Sequence, residues 1–283
     1  MMDSRIFVHG FDAGTNAALK WLSNHGDVVF NPISAALGGV YSGVRWVLML
    51  PPFFVLAVVV AVIGWRMVNA WFGLLAGLAL AFCATMGLWP QTVSTLALVI
   101  TATLMALAVG LPAGVITGYA PGLDNALEPA LDLIQTLPPY IYLLPAIALL
   151  GYGPATALAA TVIVAIPPAV RLTSLGIRMT PAEYIELGDA LGITPWQMFF
   201  KIRLPFAMPS IMAGVNQSLM MAFGMVVIAG IVGSGGLGQT IYNAIRTLDI
   251  AKSIDGALAI VILTMVLDRI TQSASGARAG ERG

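Results

Sequence analysis

Charge is what this sequence most lacks. Of its 283 residues only 9% are Asp, Glu, Lys or Arg, against 59% hydrophobic, whereas a soluble domain carries about 25% charged residues. That composition excludes a water-soluble globule and belongs to an integral membrane protein. The 13 basic and 13 acidic side chains cancel, so nothing favours nucleic acid as a partner. A single cysteine, Cys83, sits in an apolar run. One thiol makes no internal disulfide, and no metal-ligand spacing surrounds it. No G-x-x-x-x-G-K-[ST] is present, so the chain has no phosphate-binding loop of that type. The opening MMDSRIFVHG lacks the basic-then-apolar order of a cleaved signal peptide, and insertion is expected to use the later apolar segments.

What is there is long apolar sequence, divided by rare charges. No charge falls between Arg45 and Arg66, Arg66 and Asp124, Asp132 and Arg171, or Arg203 and Arg246. A membrane helix needs about 20 apolar residues, so the longer gaps hold two each, split at Leu88–Gln91 and at Gly151–Pro154. The fold class is all-α, with about seven transmembrane helices predicted at 47–64, 69–88, 92–118, 133–150, 155–171, 208–232 and 254–271. With the C-terminus inside, the inner cations are Arg66, Arg171, Arg178, Lys201, Arg203, Arg269, Arg278 and Arg282. The outer ones are Arg5, Lys20, Arg45, Arg246 and Lys252. That excess of inner charge sets the orientation and places the N-terminus outside.

The sequence divides accordingly. Residues 1–46 form an extracytoplasmic segment, too polar to span and expected as interfacial helices. Residues 47–90 make two peripheral spans and 91–272 the transmembrane core, with a cytoplasmic loop at 180–205. Residues 273–283 are a small, polar tail expected to be disordered. No ionisable residue falls in a predicted span centre. Asp124, Glu128, Asp132 and Asp268 lie near inner ends, Asp255 near an outer end, and His9 and His25 in the N-terminal segment. Coupling to a proton or sodium gradient through a buried carboxylate is therefore disfavoured. Pro138, Pro139, Pro145, Pro167 and Pro168 mark kinks or helix ends. Met212, Met220, Met221 and Met225 fall along one span, where they line a path or fill the packing.

The polar interruption ELGDALGITPWQMFFKIRLP, Glu186 to Pro205, is closely punctuated. Thr180-Pro181-Ala182-Glu183 reads as a capping box that starts a helix, and Gly192 ends it. Thr194-Pro195-Trp196-Gln197 reads as a second box, starting a short helix closed by Pro205. Glu183, Glu186 and Asp189 share one face of the first helix, and Tyr184, Leu187 and Leu191 another. On the second, Trp196, Phe199 and Phe200 form an apolar stripe and Gln197 pairs with Lys201. Such a pair rests on a leaflet or docks a protein, and its acidity favours the protein. Further on, GSGGLG at Gly233–Gly238 fits G-x-G-x-x-G. It follows an apolar helix rather than a strand, so Gly233, Gly235, Gly236 and Gly238 are read as an outer loop or gate, not a dinucleotide site.

Glu186, Gly192 six residues on, then nine residues and Ile202-Arg203-Leu204-Pro205 resembles the EAA loop of ABC importer permeases. Leu187 and Gly188 stand where that pattern has two alanines. The segments QTLPPYIYLLPAIALLGYGP, AIPPAVRLTSLGI, LPFAMPSIMAGVNQSLMMAFGMVVIAGIVGSGGLGQ and VILTMVLDRITQ extend the resemblance to the permeases for glycine betaine, proline betaine and choline. The resemblance implies a binding-protein-dependent permease of the inner membrane, itself not an enzyme. It implies a second copy of the chain, a cytoplasmic ABC ATPase and an extracytoplasmic substrate-binding protein as partners, with ATP and Mg held by the ATPase and no cofactor in this chain. By position it implies that Glu186, Asp189, Ala190, Gly192, Ile202, Leu204 and Pro205 form the coupling loop. Thr194, Pro195, Trp196, Gln197, Phe199, Phe200 and Lys201 would be the ATPase contact. The implied solute is a quaternary amine, choline or glycine betaine; a related importer for another small solute, such as an amino acid, is the first alternative, and a secondary transporter the second.

Overall fold

The computed structural model describes residues 25–274, with Ala13, Gly14, Ala17, Trp21 and Leu22 before them. The expectations for the tail after residue 274 and for most of the first 24 residues lie outside that range. Among the described residues every regular element is a helix. In chain order these are α1 (Asp27–Met49), α2 (Phe53–Met67), α3 (Ala70–Thr85), α4 (Trp89–Tyr119) and α5 (Pro121–Thr136). A 3-10 turn Pro139–Tyr142 leads into α6 (Leu143–Leu150), followed by α7 (Pro154–Arg178), α8 (Ala182–Ala190) and α9 (Pro195–Met198). A π turn, Phe199–Arg203, joins α9 to α10 (Leu204–Ala229). A second 3-10 turn, Gly230–Val232, precedes α11 (Gly236–Arg246) and α12 (Ile250–Ala274).

α7 is the centre, packed between α4 and α10 more extensively than any other helices pack. Small residues at one-turn spacing make this possible. Gly110, Gly114 and Gly118 of α4 lie against Ala169, Thr173 and Ile177 of α7, so closely that an added Cβ would stand 2.6, 2.5 and 2.8 Å from theirs. On the other side, Gly176 of α7 meets Ala207 and Ser210 of α10, and Gly214 of α10 meets Leu172. In lipid, where burial of apolar surface gives no drive between helices, such close van der Waals seams hold them together.

These helices define two ends. Tyr119 at the end of α4, Arg178 at the end of α7 and the start of α10 meet beside residues 180–205, the loop end. Trp89, Pro154 and the turn after α10 lie at the other, far end. The α2–α3 turn also belongs to the loop end, since the Ser273 hydroxyl donates to the carbonyl of Met67. α1 crosses the far end, with Ser34 donating to the carbonyl of Leu150 at 3.2 Å and Tyr41 buried to 5% exposure.

The seven predicted spans are not reproduced as such. Four helices are long and apolar enough to cross a membrane, or up to six if each bent pair is one span. The segment predicted at 47–64 is broken at Pro51–Pro52, where α1 and α2 meet at 93°. The one predicted at 133–150 is broken at Pro138–Pro139, where α5 turns by 103° into Pro139–Leu150. Paired prolines remove two successive N–H donors and stop the helical ladder. Pro167 and Pro168, expected near a span end, instead lie buried inside α7, which continues to Arg178. There the flanking helices enclose the interrupted backbone, as membrane interiors allow. α3 fills the 69–88 prediction with only 16 residues, its start fixed by the Asn69 side chain accepting the Phe72 N–H at 2.7 Å.

Candidate functional site

Residues 180–205 form helix, glycine turn and helix, with three differences from the sequence reading. The first capping box does not form. Pro181 occupies the N-cap of α8, and the Thr180 hydroxyl turns back to the carbonyl of Ile177 at 3.0 Å, ending α7 instead. The glycine turn does form. Gly192 has φ +65°, a conformation that an L side chain resists, while its N–H reaches the carbonyl of Asp189 and that of Ile193 reaches Gly188.

The second capping box is complete: Gln197 N–H donates to Thr194 Oγ1 at 3.3 Å, and Thr194 N–H donates to Gln197 Oε1 at 3.0 Å. Gln197 thus spends its carbonyl on the cap rather than on Lys201. Pro205 does not close the helix. α9 runs through the π turn directly into α10, and Pro205 sits in the first turn of α10. A proline ring would clash with the carbonyl four residues back; here the π turn, with Leu204 N–H reaching Phe199, widens the backbone before the ring. Pro195–Val232 is consequently one near-continuous unit of 38 residues.

Side-chain placement gives this unit an apolar tip. Trp196 is 72% exposed, with its ring 4.4 Å from that of Phe200, which in turn meets Phe199 at 4.8 Å. Phe199 is half-buried and approaches Tyr119 of α4, and the Arg203 guanidinium lies over the Tyr119 ring at 4.5 Å. That cation–π contact and the buried Met198 seat the tip on the bundle. Glu186, Asp189, Ala190, Thr194, Pro195 and Lys201 are exposed around it, and Ile202 and Leu204 are half-buried beneath. Tyr184, Leu187 and Leu191 are exposed too, so the first helix presents an apolar face outward. The two departures from the EAA pattern have a physical reading. Leu187 points away from the packing, whereas Gly188 is buried, and a Cβ there would meet Met198 at 2.7 Å and Ile193 at 2.9 Å.

The glycine motif at the far end divides in two. Gly233, Gly235 and Gly236 have φ of 73°, 77° and 76° and build a tight turn. It is tied down by Gly235 N–H to Gln239 Oε1 and by Leu237 N–H to Thr95 Oγ1, both 2.8 Å. Gly238 instead serves packing, since a Cβ there would lie 2.1 Å from the carbonyl of Val226. The turn opens an α-helix from a helical lead, not from a strand, which removes the dinucleotide reading.

Two polar clusters escaped the sequence reading because each joins distant residues. On the loop end α5 is held to α7 by Arg178–Asp124 and Arg171–Asp132, each 2.5 Å, with Ser174 donating to Asp124. Between α10 and α12, Asp268 accepts Asn216 Nδ2 at 3.0 Å and Gln272 Nε2 at 2.8 Å, while Thr271 donates to Asn216 Oδ1.

This central bundle of close-packed helices, with its protruding apolar tip, has the fold found in the MetNI methionine ABC transporter solved in inward-facing conformations. The TM-score is 0.61 at 24% identity, covering 67% of this chain and 95% of that one. Residues 110–274 match the family described as binding-protein-dependent transport system inner membrane component. The chain is 39% identical over 93% of its length to the glycine betaine/proline betaine transport system permease protein ProW of Escherichia coli (strain K12), covering 74% of that protein. It is also 39% identical to the glycine betaine/carnitine transport permease protein GbuB of Listeria monocytogenes (serotype 1/2a, strain 10403S), covering 88% of it. To the glycine betaine transport system permease protein OpuAB of Bacillus subtilis (strain 168) it is 37% identical, covering 86%. The chain belongs to the binding-protein-dependent transport system inner membrane components, which are transport permeases and not enzymes.

Proposed function

We propose that this chain is the permease subunit of an ATP-driven importer for quaternary amines, with glycine betaine its solute and 180–205 its coupling loop. The observation that carries the solute is the identity of 37–39% to ProW, GbuB and OpuAB over most of the chain, all three of which are named for glycine betaine. The coupling role rests on Trp196 and Phe200, aromatic side chains left in the open on a rigid unit that continues into α10. The ATPase, holding ATP and Mg, would cover them, and two copies of the chain would frame the route. Orientation follows the cations. Arg66, Arg171, Arg178, Lys201, Arg203 and Arg269 gather toward the loop end, against Arg45, Arg246 and Lys252 at the far end, which supports a cytoplasmic loop end. The far end, with the Gly233–Gly236 turn and α1, would then meet the substrate-binding protein. Vesicles carrying permease, ATPase and glycine betaine-loaded binding protein test the reading. Labelled glycine betaine should accumulate only with ATP hydrolysis, and uptake driven by an ion gradient alone would refute it.

A further inference from the structure

We propose that the cavity between α10 and α12 is a transit site for a quaternary ammonium cation. As a solute site it rests on the reading above. The cavity, about 460 Å³, is lined by Met212, Asn216, Gln217, Met220, Met221 and Gln272. Three observations converge on that chemistry.

The first is charge. Asp268 is held by the amides of Asn216 and Gln272, and both of those side chains also line the cavity. Amide donors stabilise a carboxylate without cancelling its charge. The ion pairs found among the described residues, Arg171–Asp132 and Arg178–Asp124, do not involve it. The charge held directly behind these lining amides is therefore negative.

The second is lining. A trimethylammonium group offers no hydrogen-bond donor. It is recognised by an anionic field and by soft, polarizable surface, and methionine thioethers provide such a surface. Of the five methionines on this helix, Met225 is 1% exposed and belongs to the core and Met208 lies outside the cavity, whereas Met212, Met220 and Met221 line it.

The third is position. Asn216 lies 12 residues beyond Leu204 on α10 and meets Asp268, six residues before the end of α12, so the cavity sits toward the loop-end mouth of the helices, where a solute leaving the bundle would pass. Gln217 is exposed beside it, and an amide left without a polar partner is costly. A cation passing the cavity, with the water that accompanies it, satisfies both the amide and the carboxylate.

The test uses Gln217→Cys in a Cys83→Ala background, within the assembled importer. Its rates with a trimethylammonium-ethyl and a sulfonatoethyl methanethiosulfonate reagent are each normalised to a free thiol. The cationic reagent is expected to be favoured about tenfold, within the range by which like-signed clefts concentrate counterions. That preference should vanish in Asp268→Asn and survive in Asp268→Glu, and tetramethylammonium should slow the reaction. Equal rates for both reagents would overturn the site. So would an inert thiol that instead cross-links two copies of the chain, since the face would then be a helix seam. Protection by tetramethylammonium but not by glycine betaine would support the cation site while overturning glycine betaine as the solute.

Discussion

Replacing Trp196 by alanine tests the coupling reading where it is most exposed to refutation. A tryptophan side chain offers about 200 Å² of contact area, and 72% of Trp196 is open. Covering that share at about 25 cal/mol per Å² would yield about 3–4 kcal/mol. Ordering costs of about 0.5–1.5 kcal/mol per side chain normally reduce such a figure. Here Trp196 is already held against Phe200 at 4.4 Å, on a helix fixed by the Thr194–Gln197 box, so little ordering remains. Alanine retains a methyl contact, which leaves an expected loss of about 2–3 kcal/mol, or about 30–150-fold in the dissociation constant of the ATPase. The assay is titration of ATPase onto permease in nanodiscs, read by fluorescence anisotropy, alongside ATP-driven uptake. Membrane insertion should be unchanged, because the side chain touches little of the bundle beyond Phe200. ATPase affinity within twofold of wild type, with uptake intact, would show that the tip does not dock a partner and that it rests on the leaflet.

Three further changes separate folding from function. Gly192→Ala forces an L side chain to φ +65° and should cost about 1 kcal/mol of local stability, seen as faster amide exchange in residues 188–194 and weaker ATPase binding; unaltered exchange would contradict it. Gly114→Leu drives a side chain into Thr173, whose Cβ already stands 2.5 Å from where the first carbon would be. It should abolish the folded yield in detergent, while Leu104→Ala, on an open face of the same helix, should not. Gly238→Ala should lower the melting temperature without changing which solute is transported, because its Cβ meets Val226 and not the Gly233–Gly236 turn; a change of solute preference at unchanged stability would make it part of a gate.

What could be read in the sequence was what is local. The Thr194–Gln197 box and the Gly192 turn depend on residues within three or four positions, and both formed as their spacing implied. The first box failed because the hydroxyl of Thr180 had a nearer carbonyl to serve, that of Ile177. Pro205 misled for a related reason. Proline stops an α-helix of ordinary pitch, but nothing in five residues of sequence announces a π turn that makes room for the ring. The paired prolines show the same limit from the other side. Pro51–Pro52 and Pro138–Pro139 break their helices, while Pro167–Pro168 do not, because only the last pair is enclosed by α4 and α10. Arg171–Asp132, 39 residues apart, and Asn216–Asp268, 52 apart, were out of reach of any local pattern. Span counting from charge gaps failed for a further reason: it assumes that each apolar run is straight.

The continuity of Pro195–Val232 bears on how a push at the tip would travel. Were Pro205 a helix end, α9 could swing on a flexible joint and its motion would be lost in the loop. Instead the backbone ladder runs from the Trp196 tip to the far end, where the next turn is pinned to α4 through Leu237 N–H and Thr95. A displacement at one end must therefore move α10 as a body, or yield at the π turn, where the ladder changes pitch between the tip and α10. The seams decide between these. α10 meets α7 through Gly176 and Gly214, where backbones approach with few interlocking side chains. Small-residue contacts of this kind let helices slide past one another at lower cost than interdigitated leucines would. Tightening that seam with Gly214→Ala, whose Cβ would stand 3.1 Å from that of Leu172, should thus slow uptake while leaving ATPase binding at the tip unchanged, whereas a hinge at the π turn would leave uptake intact in the same variant.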